Sequence, residues 1–216
     1  MKEIARFQFI TNHDFSILEQ VQAVADAGGT WVQLRIKDRN RAEAELPKLV
    51  DVAKRLGLCT IINDYVDLAY HLEADGIHLG KSDTRVSDAR RFLGKDKIIG
   101  VTINSPIDLT EVLYESINYI GLGPYRYTST KRNLDPLLGI AGVKNVCGYA
   151  QKLCPHMPIV VVGGIQKEDV AEIQQAGAYG VAVSSAVTRA GSPVSEIQEF
   201  IASLYGEKDE KKINLG

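Results

Sequence analysis

Two aspartates stand where two β-runs end. Ile61-Ile62-Asn63-Asp64 closes one run, and Gly76-Ile77-His78-Leu79 leaves through Gly80-Lys81-Ser82 to Asp83. In a parallel α/β protein the strand exits share one face, and ligands bind there. Asp64 and Asp83 are therefore candidates to meet in space across the short helix of Leu68, Ala69 and Leu72. Two carboxylates beside polar groups suit a hard divalent cation, Mg²⁺ above all when a phosphate supplies the other oxygens. The competing reading is that each aspartate caps the helix after it, since Asp is a favoured cap.

Three other stretches carry polar groups in patterns that suit an anion. Along Thr30 to Ile36, Val32, Leu34 and Ile36 share one face, while Gln33, Arg35 and Lys37 share the other. In a sheet covered by helices on both sides such a polar row is expensive. In a barrel it can point inward near the open rim, where a ligand satisfies it; the alternative is an edge strand with a wet face. The segment 124–133 is long, has no apolar period, and contains Thr128, Ser129, Thr130, Lys131 and Arg132. Connections of that kind are usually functional, and its content suits a phosphate-covering lid, though a solvated loop would look similar. Two late strand exits, Gly163-Gly164-Ile165 and Ser184-Ser185-Ala186, offer bare backbone N–H groups at helix starts, which favour a phosphate.

The elements that must position these groups follow from periodicity. Ile4 to Ile10 predicts a first strand, and Ile17, Leu18, Val21, Val24 and Ala25 recur at helical spacing up to Gly28-Gly29. Leu46, Leu49, Val50, Ala53 and Leu56 form the next helical stripe, closed by Gly57. The carboxylate unit follows. Then come a helix of Val86, Ala89, Phe92 and Leu93, a strand over Lys97 to Thr102, a helix marked by Ile107, Leu109, Val112 and Leu113, and a strand over Tyr119 to Gly123. Val143, Val146, Ala150 and Leu153 predict a helix, and Pro158 to Val162 a strand buried on both faces. A helix with Val170, Ile173 and Ala176 precedes a strand of Val181 to Val183, and Ser192-Pro193 reads as the N-cap and first residue of the last helix. Eight strand–helix units with short linkers predict a single (β/α)8 TIM barrel over residues 1–205, with 206–216 as a charged, flexible tail.

Composition sets the outer limits. The 216 residues are 45% hydrophobic and 24% charged, with a net charge of −2, so no basic field points to nucleic acid. No apolar run is long enough to span a bilayer, and Met1-Lys2-Glu3-Ile4 does not resemble a signal peptide. Cys59, Cys147 and Cys154 show no paired spacing, which favours free thiols in the cytoplasm; Cys59 reads as a small core residue, and Cys147, Cys154 and His156 match no usual zinc pattern. No nucleophile–base set stands out, and His78, mid-strand, reads as a packed residue.

Taken in order, these stretches resemble thiamine-phosphate synthases of the thiamine synthase and thiazole tautomerase superfamily. The likeness rests on Gln33-Leu34-Arg35-Ile36-Lys37, Ile62-Asn63-Asp64, Ala74-Asp75-Gly76-Ile77-His78-Leu79-Gly80 with Asp83, Tyr119-Ile120-Gly121-Leu122-Gly123-Pro124, Thr128-Ser129-Thr130-Lys131, Val162-Gly163-Gly164-Ile165 and Gly180-Val181-Ala182-Val183. The resemblance implies a transferase of thiamine biosynthesis. The nitrogen of a thiazole ethyl phosphate attacks 4-amino-5-hydroxymethyl-2-methylpyrimidine pyrophosphate, and thiamine phosphate and pyrophosphate are released. It implies that Asp64 and Asp83 hold Mg²⁺ and that Arg35, Lys37, Asn63 and Lys131 contact the pyrophosphate or position the pyrimidine. Gln33 would lie on the ring side of the pyrimidine, and Thr102 is expected to bind substrate. Thr128, Thr130, Gly163, Gly164, Ser184 and Ser185 would bind the thiazole phosphate. The expected partners are these small molecules, not nucleic acid or membrane, and the sequence leaves a homo-oligomer open.

The chain departs from the family pattern at Thr102 and Asn104, where a serine and a histidine are usual, at Tyr127, where a proline is common, and at Asn133, where an acid is frequent. These departures bear on substrate fit. Two rival functions share the scaffold: a thiazole tautomerase-type isomerase, and a non-catalytic phosphate-binding regulator.

Overall fold

The structure, a computed structural model, describes residues 2–127 and 136–206. Eight parallel strands, each joined to the next, close into a barrel in the order β1 to β8. The strands are β1 Phe7–Ile10, β2 Trp31–Leu34, β3 Cys59–Asn63, β4 Gly76–Leu79, β5 Ile98–Ile103, β6 Tyr119–Leu122, β7 Ile159–Val162 and β8 Gly180–Val183. Between them run α1 Ile17–Asp26, α2 Arg39–Arg55, α3 Val66–His71, α4 Val86–Leu93, α5 Pro106–Val112, α6 Gly139–Leu153 and α7 Val170–Gln175, with α8 Ser185–Thr188 and α9 Pro193–Tyr205 after the last strand. No described helix is long and apolar enough to cross a membrane.

Closure settles the choice left open for the Gln33, Arg35 and Lys37 row. β2 pairs with β1 on one side and β3 on the other, so it has no free edge. Inward and outward side chains alternate along every strand. The outward set, such as Val32, Leu34, Ile62, Ile77 and Val181, joins the helices in the main core. The inward set begins with an apolar floor of Trp31, Cys59, Ile61, Ile98, Tyr119, Val160 and Ala182. One step higher, toward the strand exits, the inward residues include the polar Gln33, Asn63, His78 and Thr102, beside Ile10 and Val162. The floor packs like any core, while the layer above it faces a cavity.

Helix ends agree with the local sequence. Ser192 caps α9, its Oγ accepting from Ser195 N at 3.3 Å, with Pro193 in the first turn. Asp38 caps α2 by accepting from Arg41 N at 2.8 Å, so that helix begins several residues before its apolar stripe. β1 is shorter than the apolar run predicts, because only Phe7 to Ile10 finds ladder partners on β2 and β8. Two short elements lie outside the predicted set: a 3-10 turn at Lys167–Asp169 and the single-turn α8 that starts at Ser185.

Candidate active site

The chain leaves β3 through a tight turn centred on Asp64. Tyr65 N donates to Asn63 O at 3.0 Å, and Asp64 has φ of 71°, a left-handed conformation that few non-glycine residues adopt. Aspartate tolerates it better than most. The turn sets the Asp64 carboxyl beside that of Asp83, and Lys37 Nζ meets Asp64 Oδ2 at 2.5 Å. Burial and then the neighbouring Asp83 carboxyl push the Asp64 pKa up, with Lys37 pulling against them. Asp83 is fixed by its own loop, its Oδ2 accepting from Gly80 N at 2.6 Å. A Cβ on Gly80 would lie 2.9 Å from that oxygen, so a larger residue there would shift the Asp83 carboxyl. Neither aspartate is an N-cap; Tyr65 and Arg85 hold those positions.

Among the described residues no group of three or more His, Cys, Asp or Glu side chains converges to hold a metal ion. Asp64 and Asp83 supply two carboxylates, with one half-exposed lysine to balance them. A divalent cation that takes its remaining ligands from a phosphate fits such a donor set.

Gln33, 3% exposed, donates from Nε2 to Asn63 Oδ1 at 2.7 Å. The Asn63 Nδ2 is left as a buried donor with no partner among the described residues. Together with Arg35, His78 and Thr102 these two amides line a cavity in the barrel interior. A second cavity lies over the exits of β7 and β8, lined by Thr11, Arg35, Gly163, Gly164, Ser184 and Ser185 among others. Arg35 borders both. Burial lowers its pKa while the Asp64 charge raises it, and its backbone N donates to Thr11 Oγ1 at 2.9 Å.

The second cavity is braced from two sides. Gly163 and Gly164 have φ of 105° and 65°, and a Cβ on Gly164 would lie 2.9 Å from Arg126 Cβ. Arg126 grips the Asp169 carboxylate through both guanidinium nitrogens at 2.6 Å and donates to Gly164 O at 3.0 Å. From the other side buried Asn12 donates from Nδ2 to Ser184 Oγ at 3.2 Å and Thr188 Oγ1 at 2.8 Å.

The structure thus brings together Gln33, Arg35, Asn63 and Thr102 in one cavity, Gly163, Gly164, Ser184 and Ser185 in the next, and Lys37, Asp64 and Asp83 at the rim. Thr128, Thr130, Lys131 and Asn133 lie outside the described residues. Asn104, one of the departures from the family pattern, is a buried tether whose Nδ2 donates to Gly123 O. His78, read from the sequence as packed rather than catalytic, is half-buried against Tyr119, lines the interior cavity, and bonds hydroxyls at both ring nitrogens. Strand alternation carries the signal for it, because the apolar Ile77 and Leu79 on either side face outward. No sequence signal identified Thr11 as part of the cavity wall or Asn12 as part of the brace.

A family model described as thiamine monophosphate synthase matches residues 7–187. The chain is similar to the thiamine-phosphate synthase of Phocaeicola vulgatus, 37% identical over 198 residues that cover 90% of this chain and 95% of that protein. It is 35% identical to the thiamine-phosphate synthase of Flavobacterium johnsoniae over 207 residues, covering 93% of this chain and 96% of the relative. Among solved structures, a thiamine phosphate pyrophosphorylase from Pyrococcus furiosus superposes with a TM-score of 0.79 at 25% identity, covering 98% of this chain and 97% of that one. A match that runs through nearly the whole barrel, in sequence and in shape, makes this chain a member of the thiamine monophosphate synthase family.

Proposed function

We propose that this thiamine-biosynthetic transferase joins 4-amino-5-hydroxymethyl-2-methylpyrimidine pyrophosphate to a thiazole ethyl phosphate, with each substrate in one of the two cavities. The observation that carries the reading is the rim: two carboxyl groups side by side, one in a left-handed turn, with Lys37 on it and Arg35 nearby. Asp64 and Asp83 would hold Mg²⁺, which when bound supplies neutralisation of the charge that grows on the departing pyrophosphate. Lys37 and Arg35 are cations at the same rim and stabilise that developing charge in the same way.

The pyrimidine belongs in the interior cavity. Asn63 Nδ2 is a buried donor that a ring nitrogen would satisfy. Gln33 fixes the Asn63 amide through its Oδ1 and so decides where that donor points. As pyrophosphate leaves, the ring delocalises the positive charge, so little acid–base machinery is required. The thiazole phosphate belongs over Gly163, Gly164, Ser184 and Ser185, where small residues let an anion approach the backbone. Arg35 borders both cavities and so can serve both anions. The thiazole nitrogen carries a free lone pair and attacks without losing a proton. Thr128, Thr130 and Lys131 enter this reading through the family resemblance alone.

The test is calorimetric titration of inorganic pyrophosphate with and without Mg²⁺. The wild-type chain is expected to bind about tenfold or more tighter with Mg²⁺, a difference of ~1.4 kcal/mol or more. Asp64→Ala and Asp83→Ala should each lose that gain while keeping the melting profile of a folded barrel. An undiminished Mg²⁺ effect in both variants would remove the metal assignment.

A further inference from the structure

From the apolar floor of the barrel rises a chain of three groups, Tyr119, His78 and Thr102, that the proposed function above does not use. Tyr119 on β6 is 1% exposed and meets Trp31 edge-on, with ring centroids 5.6 Å apart. Its ring occupies space left by Gly100 of β5, where a Cβ would lie 2.1 Å from Tyr119 Cζ. The Tyr119 hydroxyl is 2.8 Å from His78 Nδ1, and His78 Nε2 is 2.9 Å from Thr102 Oγ1. Gly121 makes room for the imidazole in turn, since a Cβ there would lie 2.9 Å from His78 Cε1. Two glycines thus make room for a relay that starts in the floor and ends at a cavity wall.

The proton inventory decides how the relay is polarised. Burial raises the Tyr119 pKa, so the group stays a phenol with one proton to donate. Among the described residues its hydroxyl has one hydrogen-bond partner, His78 Nδ1. Were Nδ1 protonated, the phenol proton would be stranded in the core, and buried donors are rarely left so. Nδ1 therefore accepts, and the neutral ring carries its proton on Nε2. Nε2–H then donates to Thr102 Oγ1. That bond occupies a lone pair of the threonine oxygen and leaves its own O–H for an acceptor in the cavity.

We propose that His78, held in its Nε2–H tautomer by Tyr119, is a positioning residue that makes the Thr102 hydroxyl a hydrogen-bond donor to a ring nitrogen of the pyrimidine substrate. The inference rests on the substrate assignment above. It also gives the departure at Thr102 a meaning: the added methyl leaves the hydroxyl in place, and the relay sets its direction.

Two readouts test it. The first is the ¹⁵N spectrum of histidine-labelled, unliganded protein. The expected result is an Nε2–H tautomer for His78 in the wild type, with loss of that preference in Tyr119→Phe. An Nδ1–H ring in the wild type overturns the proposal. The second is steady-state kinetics. Tyr119→Phe removes one oxygen and should raise KM for the pyrimidine pyrophosphate about tenfold, as expected for losing one oriented hydrogen bond. KM for the thiazole phosphate should be unchanged. In a Thr102→Val background the Tyr119→Phe change should add no further loss, because the hydroxyl it orients is gone. Equal losses for both substrates, or full additivity in the double variant, would show that Tyr119 and His78 only support the core and would overturn the proposal. A wild-type chain that makes no thiamine phosphate would sink the substrate reading and the positioning role with it, while the nitrogen shifts would still report the tautomer.

Discussion

Asp64 combines two conditions that each cost stability. Its backbone is left-handed, and its partly buried carboxyl faces another. Strained positions of this kind cluster at functional sites and cost of order 1–3 kcal/mol. Asp64→Asn keeps a residue that tolerates the turn and removes the opposed charge. At pH 7 in chelator, the variant is expected to melt above the wild type, by about 2–4 °C for a gain of ~1 kcal/mol in a chain of this size. Added Mg²⁺ should raise the wild-type Tm and leave the variant where it is, and pyrophosphate release should be lost. A variant that melts lower under both conditions would mean that the Lys37 ion pair outweighs the repulsion. At this scale the sequence was partly legible. Asp64 and Asp83 could be paired because strand exits share a face, and Gln33 and Arg35 because period-two alternation is strict. The γ-turn at Asp64 had no such signature, nor had the hydrogen bonds of His78, because one histidine between two apolar residues does not announce its partners.

The two glycine and serine exits depend on elements around them. The loop after β7 is clamped by Arg126, which reaches from the exit of β6 to Asp169 and Gly164 O. Burial raises the Asp169 pKa, but the Arg126 guanidinium and the Gln166 N–H outweigh it, and the net shift is downward. A carboxyl lowered by folding adds stability above its ordinary value of 3.8, and that stability is lost as pH falls through the lower, folded value. Asp169→Asn should therefore cost about 1 kcal/mol at pH 7, Arg126 being half exposed. The gap between variant and wild type should close as the wild-type carboxyl protonates. Urea midpoints measured from about pH 7 down to about pH 3 check this; a gap that stays constant with pH would mean that Asp169 acts through packing instead. Long periodic helices such as α2 and α9 were readable from their apolar stripes. The 3-10 turn at Lys167–Asp169 and α8 were not, because elements of three or four residues complete barely one turn and show no period.

On the scale of the whole molecule, ring closure is what gathers the site. Gln33 comes from the second strand and Ser184 follows the eighth, yet both face one end of the barrel because β1 pairs with β2 and with β8. Strict strand–helix alternation made that architecture legible, and ladder register, which places the polar layer one step above the floor, was not. The same scaffold can host an isomerase, so fold alone does not settle the reaction. The most direct test supplies both the pyrimidine pyrophosphate and the thiazole phosphate with Mg²⁺ to the intact chain, and follows pyrophosphate and thiamine phosphate together while thiazole isomerisation is monitored alongside. Equal amounts of the two products, dependent on Mg²⁺ and on both substrates, are the predicted result. Isomerised thiazole without thiamine phosphate, or no turnover of either substrate, would contradict it.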